Sequence, residues 1–260
     1  MLPVAISLID WLREQCSNFE FVPAGVFQTD GKADWPLVAQ DVTDLTDQLD
    51  AGGFLSPLPS ESAALANVIE VALVDFLLGR LANLASDGKP VSSTRGAARG
   101  YPDLEVEGDL FGGGFCAVDI KMARIKMLKK GESTKTESRI TLYTGNTYFK
   151  HPTIAIGGIR RPFADYRQHL DIIGLYEFDE QSKARVKHLE LLVHPPWKIA
   201  SRERSSTTRE YIGAVDNLQE LRAGTGSFET ETEFYAYWRK FPFKVPKLVQ
   251  KELEKALRAN

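Results

Sequence analysis

Between Gly100 and Arg124 the sequence reads GYPDLEVEGDLFGGGFCAVDIKMAR, and it orders its acids and its lysine in a way that a plain structural strand does not require. Alternate residues of a β-strand share a face, so Asp119 and Lys121 project together while Ile120 turns into the core. Asp103 stands where the preceding strand begins, and a hairpin turning at Gly112, Gly113 and Gly114 would lay it alongside Asp119. Two carboxylates and one ammonium then form a single cluster. Paired hard oxygen ligands suit Mg²⁺, which keeps several waters and also binds substrate phosphates. A lysine beside them can orient or activate a metal-bound water, or stabilise charge on a phosphorane. This is the set needed for metal-assisted phosphodiester hydrolysis, where the metal lowers the pKa of the attacking water and neutralises the departing oxygen. The bland alternative is a solvated Asp-x-Lys cross-pair beside an ordinary Pro-Asp turn.

The elements that must position this cluster are legible as strands 104–111 and 115–124 flanking the glycine turn. The triple glycine lacks the strand-to-helix context and the lysine of a phosphate-cradling loop, so it reads as a turn. Upstream, residues 3–15 read as a helix, and FVPAGVF as a strand turned by residues 29–32 into a second extended piece ending at Trp35-Pro36. Residues 51–59 are a breaker-rich loop, after which Ser60 and Glu61 can cap a long helix running through Ala85. Residues 87–100 are a loop dense in Gly, Ser and Arg. Downstream, SRITLYTGNTYF reads as a strand entering a loop, PFADYRQHLDIIGLYEF as a helix running into a strand, and HLELLVHPPWKIA as a strand pair. Residues 229–241 and 247–258 close the chain as two helices. Strands and helices mix without strict alternation, which gives an α+β or mixed-sheet α/β fold. There is no internal repeat.

Composition narrows the function. With 260 residues, 43% of them hydrophobic, the chain can bury a sizeable core. Its two cysteines, Cys16 and Cys116, lie far apart, and its four histidines lack metal-finger spacing, so a zinc site or a disulfide framework is not expected. The start MLPVAISLIDWLREQ has no basic region and meets Asp10 and Arg13 early, which reads as a helix and not a secretion signal. The apolar stretch 63–85 carries Glu70, Asp75 and Arg80 on different sides of a helix, which is wrong for lipid, so no membrane is expected. A net charge of −3 argues mildly against a nucleic-acid partner, but a carboxylate-rich metal site adds negative charge that bound cations offset.

The order Pro102-Asp103 followed by Asp119-Ile120-Lys121 resembles the type II restriction endonucleases of the PD…(D/E)xK superfamily. The likeness runs collinearly over most of the chain. It takes in GVFQTDGKADWPL, Tyr101-Pro102-Asp103, PFADY with Ile172-Ile173-Gly174, and Trp197-Lys198-Ile199-Ala200 leading through Thr207 and Thr208 to Ile212-Gly213. It ends in GSFETETEFYAYWRKF, with an insertion between Pro36 and Ser60.

The resemblance implies a restriction-endonuclease-like core, a mixed central sheet flanked by helices, within one endonuclease domain spanning 1–260. It puts a small dimerisation subdomain at 21–36 and 174–193, the catalytic core at 60–173, and DNA recognition and the C-terminal part at 194–260. Asp103, Asp119 and Ile120 would form the Mg²⁺ site, and Lys121 would serve the water or the scissile phosphate. Glu70 is the candidate for a helix carboxylate approaching the site, with Asp75 its rival. The implied activity is sequence-specific cleavage of double-stranded DNA at a short palindrome by a homodimer in the bacterial cytoplasm, leaving blunt ends with 5′-phosphates, alongside a cognate DNA methyltransferase. A repair or junction nuclease and a cleavage-deficient DNA-binding protein are the alternatives. The loop SRERSSTTRE offers Ser205, Ser206, Thr207, Thr208 and Arg209 to base edges in the major groove. Arg95 and Arg99, in SSTRGAARG, would enter the minor groove or hold phosphates. Lys247, Lys251 and Lys255, on one helix face, suit phosphate contact.

Overall fold

A computed structural model describes residues 5–21, 36–37, 41, 43, 46–47, 54–55, 62–97, 100–128, 133–156, 158–179, 185–206, 210–245 and 247–259. The expected hairpin 21–36 falls almost wholly outside them, as do Ser60, Glu61, Arg99, Thr207, Thr208 and Arg209.

The frame is a five-stranded mixed sheet. Its strands are Ser92–Arg95 (β3), Leu104–Glu107 (β4), Phe115–Arg124 (β5), Tyr166–Phe178 (β7) and Val186–His194 (β8), in spatial order β3-β4-β5-β7-β8. Every pairing is antiparallel except β5 with β7, which is parallel. Strands Pro36–Leu37 (β1) and Phe54–Leu55 (β2) form a separate parallel pair. A second, antiparallel sheet joins Thr141–Thr144 (β6), Tyr211–Ala214 (β10) and Ala200–Arg204 (β9), with β10 in the middle.

Alternation along the central strands sends side chains into two layers. Leu104, Val106, Val118, Ile120, Leu170 and Ile172 face the helices Leu8–Ser17 (α1) and Ser62–Ser86 (α2). From α2 come Leu73, Leu77 and Leu81, an i, i+4, i+8 stripe, and from α1 come Leu8, Trp11 and Leu12. The opposite face carries Ala117, Ala123, Ile173 and Leu175, packed with Tyr101, Tyr143, Phe149 and Phe163 and with the second sheet. The short helices Pro196–Ile199 (α3) and Leu218–Ala223 (α4) and the helix Glu231–Lys240 (α5) pack into this same core, and Lys247–Ala259 (α6) follows. The start of α5 is encoded locally: the Thr230 hydroxyl accepts from the Glu233 amide at 3.1 Å, and Phe234 and Trp238 point inward one turn apart.

Five expectations need correction. Residues 87–100, expected as a loop, contain the edge strand β3, and HLELLVHPPWKIA is not a strand pair, since Pro196–Ile199 makes a helical turn between β8 and β9. PFADYRQHLDIIGLYEF does not begin as a helix; Phe163–Asp165 makes a single 3₁₀ turn and strand β7 starts at Tyr166, because seven of the eight residues 169–176 are apolar or aromatic and are buried between two layers. The strand expected over 104–111 stops at Glu107, and Asp109–Phe111 turns as a 3₁₀ segment that seats Leu110 and Phe111 against the α1 layer, Phe111 edge-on to Trp11. The first helix starts at Leu8, capped by the Ser7 side chain.

Two buried polar groups tie the layers together. Glu105, 5% exposed, receives Arg161 through Nε at 2.7 Å and Nη2 at 2.8 Å, with the Tyr166 hydroxyl at 3.1 Å. Burial would raise this carboxyl, but the Arg161 pairing and the Tyr166 bond outweigh it and hold it below its ordinary value. His169 shares a 2.6 Å hydrogen bond with the Tyr101 hydroxyl and stacks on Phe163 at 3.9 Å between ring centroids.

Burial pushes His169 down to about 3, so the folded chain keeps it neutral where the unfolded chain, with an ordinary value of 6.5, binds a proton. The unfolded state therefore holds more protons between those two values, and stability falls as pH drops through 6.5. Chemical unfolding of wild type should show about 2 kcal/mol more loss between pH 7 and pH 5 than His169→Asn does. Equal losses would show that the imidazole is not held neutral.

Candidate active site

The cluster is assembled by strand register. Leu104 pairs with Val118 in the antiparallel β4–β5 ladder, so the next residue back, Asp103, arrives opposite Asp119. Asp103 Oδ2 accepts the Ile120 amide at 2.7 Å, which pins this carboxylate to the neighbouring strand. Ile120 itself is 1% exposed and turned into the helix layer. Asp119, 3% exposed, points the other way, and its Oδ2 lies 2.5 Å from the Lys121 ammonium. Glu70 reaches the same place from α2.

These charges act on one another. Two carboxylates compete for one ammonium, and burial together with Asp103 pushes Asp119 up to about 8 against the pull of Lys121. Burial alone would lower Lys121, yet Asp119 and Asp103 outweigh it and hold the ammonium charged well above its ordinary range. Glu70 is pushed up to about 7, first by burial and then by Asp103, with Lys121 opposing.

The cluster floors a cavity of about 760 Å³. It is lined by Glu70, Asp103, Asp119 and Lys121, by Tyr101, Tyr143 and Tyr148, by Thr141 and Tyr211 of the second sheet, and by Arg139 just before β6. Asp75 is elsewhere engaged: it pairs with Arg95, so neither is directed at the cavity floor. Ser205 begins the β9–β10 connection, and its hydroxyl and that of Thr141 on the cavity wall share a 2.7 Å hydrogen bond. Arg139 is braced by the Ala214 carbonyl at 3.0 Å and by Glu203 at 2.5 Å. Lys247, Lys251 and Lys255 are exposed along α6.

Reading by sequence missed Tyr143, Tyr148, Arg139 and, above all, Asp171. Asp171 pairs with Asp119 in the parallel β5–β7 register, is 0% exposed, and is pushed well above its ordinary value by burial and by Asp119. Its only local signal is an acid inside the run HLDIIGLY.

Among the described residues no group of three or more His, Cys, Asp or Glu side chains is gathered tightly enough to hold a metal ion unaided. Mg²⁺ does not require one, since it binds through one or two carboxylates and keeps its waters. Asp103 and Asp119, hard oxygen donors on adjacent strands, fit such an ion.

A mixed sheet that brings two carboxylates and a lysine to the floor of one cavity is the framework of a metal-dependent endonuclease. The chain belongs to the restriction endonuclease EcoRV family, which it matches over residues 31–258. It is accordingly a type II site-specific deoxyribonuclease acting on double-stranded DNA. A comparison with curated proteins gives no match. Among the described residues no helix is long and apolar enough to cross a membrane.

Because the Glu70 carboxyl sits above its ordinary 4.5, the folded state holds more protons than the unfolded between 4.5 and about 7, and stability falls as pH rises through that window. In EDTA, Glu70→Gln should therefore melt a few degrees above wild type at pH 8, with the gain shrinking towards pH 4.5. A melting-temperature difference that is the same at both pH values would contradict the charge balance described here.

Proposed function

We propose that the chain cuts both strands of DNA within a short palindrome as a Mg²⁺-dependent homodimer, leaving blunt ends with 5′-phosphates and 3′-hydroxyls. The observation that carries this reading is the pairing of Asp103 and Asp119 across the β4–β5 ladder with Lys121 on the same face. Asp103, Asp119 and the backbone at Ile120 would hold the cation. When bound, it supplies a water of lowered pKa and neutralises charge on the departing oxygen. Lys121 remains protonated beside Asp119, so its part is to donate hydrogen bonds to the attacking water or the scissile phosphate and to balance charge there, not to accept a proton. Glu70, half-buried on α2, faces the cluster from the helix side.

A cavity of this size would take a stretch of backbone around one phosphate, with the duplex outside it. Two such cavities related by a twofold axis would address the two strands, which is why a palindrome and a dimer go together. The residues assigned to pairing are 21–36 and 174–193, with 60–173 as the catalytic core and 194–260 as the recognition part. The β7–β8 hairpin at the edge of the central sheet supports this division. Base reading belongs to residues 205–209, whose first member is fastened to the cavity wall through Thr141. Arg95 and Arg99 would hold the backbone or enter the minor groove. An enzyme of this specificity endangers its own host's DNA, so a methyltransferase of the same specificity is its expected companion in the bacterial cytoplasm.

Asp103→Ala, Asp119→Ala and Lys121→Ala should each lower cleavage of cognate DNA in Mg²⁺ by at least about a hundredfold while the variants stay folded and dimeric. Near-normal turnover by any one of the three would remove that residue from the site. For Arg209, which can meet guanine O6 and N7 with two parallel hydrogen bonds, Arg209→Ala should relax preference at one symmetric pair of positions in a randomised site library. A uniform loss at every sequence would make it a phosphate contact instead.

A further inference from the structure

Among the described residues Asp171 is the only carboxylate with both oxygens buried and without a hydrogen-bond partner. It sits directly across from Asp119 in the parallel β5–β7 register, on the sheet face that also carries Lys121, and it is 0% exposed. Its strand neighbours Leu170, Ile172 and Ile173 are wholly buried and apolar, and a valine or leucine would continue the pattern. An ionised carboxylate left unpaired in such a place is among the costliest features a core can contain. The nearby ammonium eases this only partly and makes no bond to it, because Lys121 is already 2.5 Å from Asp119. Glu70, Asp103, Asp119 and Asp171 are gathered around that one lysine, more carboxyl groups than a single ammonium can pair.

We propose that Asp171 is a positioning carboxylate of the divalent-cation centre, acting from behind Asp119 to keep that ligand directed at the bound cation. The inference rests on the metal reading of Asp103 and Asp119 given above. Asp171 does not itself line the cavity, so its influence on a cation at the cavity floor passes through Asp119, its neighbour across the β5–β7 ladder. Partners of this kind, one step removed from the ligands, typically change metal affinity by about 10- to 100-fold when removed.

The test is binding of Ca²⁺ alone to the DNA-free protein, followed by titration calorimetry, for wild type, Asp171→Asn and Asp119→Ala. Asn keeps the shape of Asp and a hydrogen-bond donor, so a neutral carboxyl serving only as core filling would leave the Kd unchanged. We expect Asp171→Asn to weaken Ca²⁺ binding by about 10- to 100-fold while melting no lower than wild type without the ion. If wild type binds and Asp119→Ala does not, yet Asp171→Asn binds like wild type, the role of Asp171 is refuted and the metal cluster stands. If wild type binds no better than Asp119→Ala, the metal cluster itself is wrong and the inference falls with it. Circular dichroism checks the fold, and should Asn fail to fold, Asp171→Ala is read by the same criteria.

Discussion

Two carboxylates repel each other, and in this chain they stay side by side because the backbone does not let them part. The β4–β5 ladder sets Asp103 against Asp119, and the Ile120 amide then takes hold of Asp103 at 2.7 Å. That amide belongs to the residue between Asp119 and Lys121, so one hydrogen bond fixes the spacing of all three functional groups at once. The repulsion is not removed. It persists as the upward push on Asp119, while the same two carboxylates hold the Lys121 proton in place, and the cavity floor is left receptive to positive charge.

Holding such a cluster demands a stiff support on both sides. Under it, Val118 and Ile120 are clamped against α1 and α2. Beside it, the rings of Tyr101, Tyr143, Tyr148, Phe149 and Phe163 interlock, with Tyr101 stacked on Tyr148 at 5.3 Å and Tyr143 on Phe149 at 5.2 Å. Glu105, one residue from Leu104 on β4, is locked by Arg161 and Tyr166, which fastens the strand that carries Asp103 to the start of β7. The same core takes in Leu142, Tyr143 and Ile212, chain neighbours of the cavity-wall residues Thr141 and Tyr211, so that wall is anchored in the packing that steadies the carboxylates.

What could be read from the amino-acid order was whatever depends on neighbours in the chain. Asp119, Ile120 and Lys121 alternate along one strand, and Asp103 is joined to them by a single hairpin, so both placements follow from local rules. Glu70 and Asp75 could not be told apart, because both are ordinary helix acids and only the packing of α2 decides which one lines the cavity. Asp171 was hidden for a different reason. It meets Asp119 through a parallel pairing across a long crossover, and no local feature encodes the register of two such strands. The apolar run around it reads equally well as buried helix or strand, which also explains why β7 was expected to begin as a helix. Tyr143 and Tyr148 reach the cavity through the second sheet and the turn after it, a meeting set entirely by tertiary packing.

Gly112, Gly113 and Gly114 all lie at positive φ, +88°, +76° and +69°, where other residues are strained. Their turn therefore divides the segment 103–121 into a part that tolerates changes in length and parts that do not. A residue added among the glycines lengthens a surface connection and leaves the ladder in place. A residue added between Leu104 and Glu107, or between Phe115 and Val118, exchanges the two faces of everything beyond it, turning a carboxylate into the apolar layer under the helices and an isoleucine towards the cavity. In descendants of this chain, insertions at this hairpin should accumulate at its glycines and spare its strands.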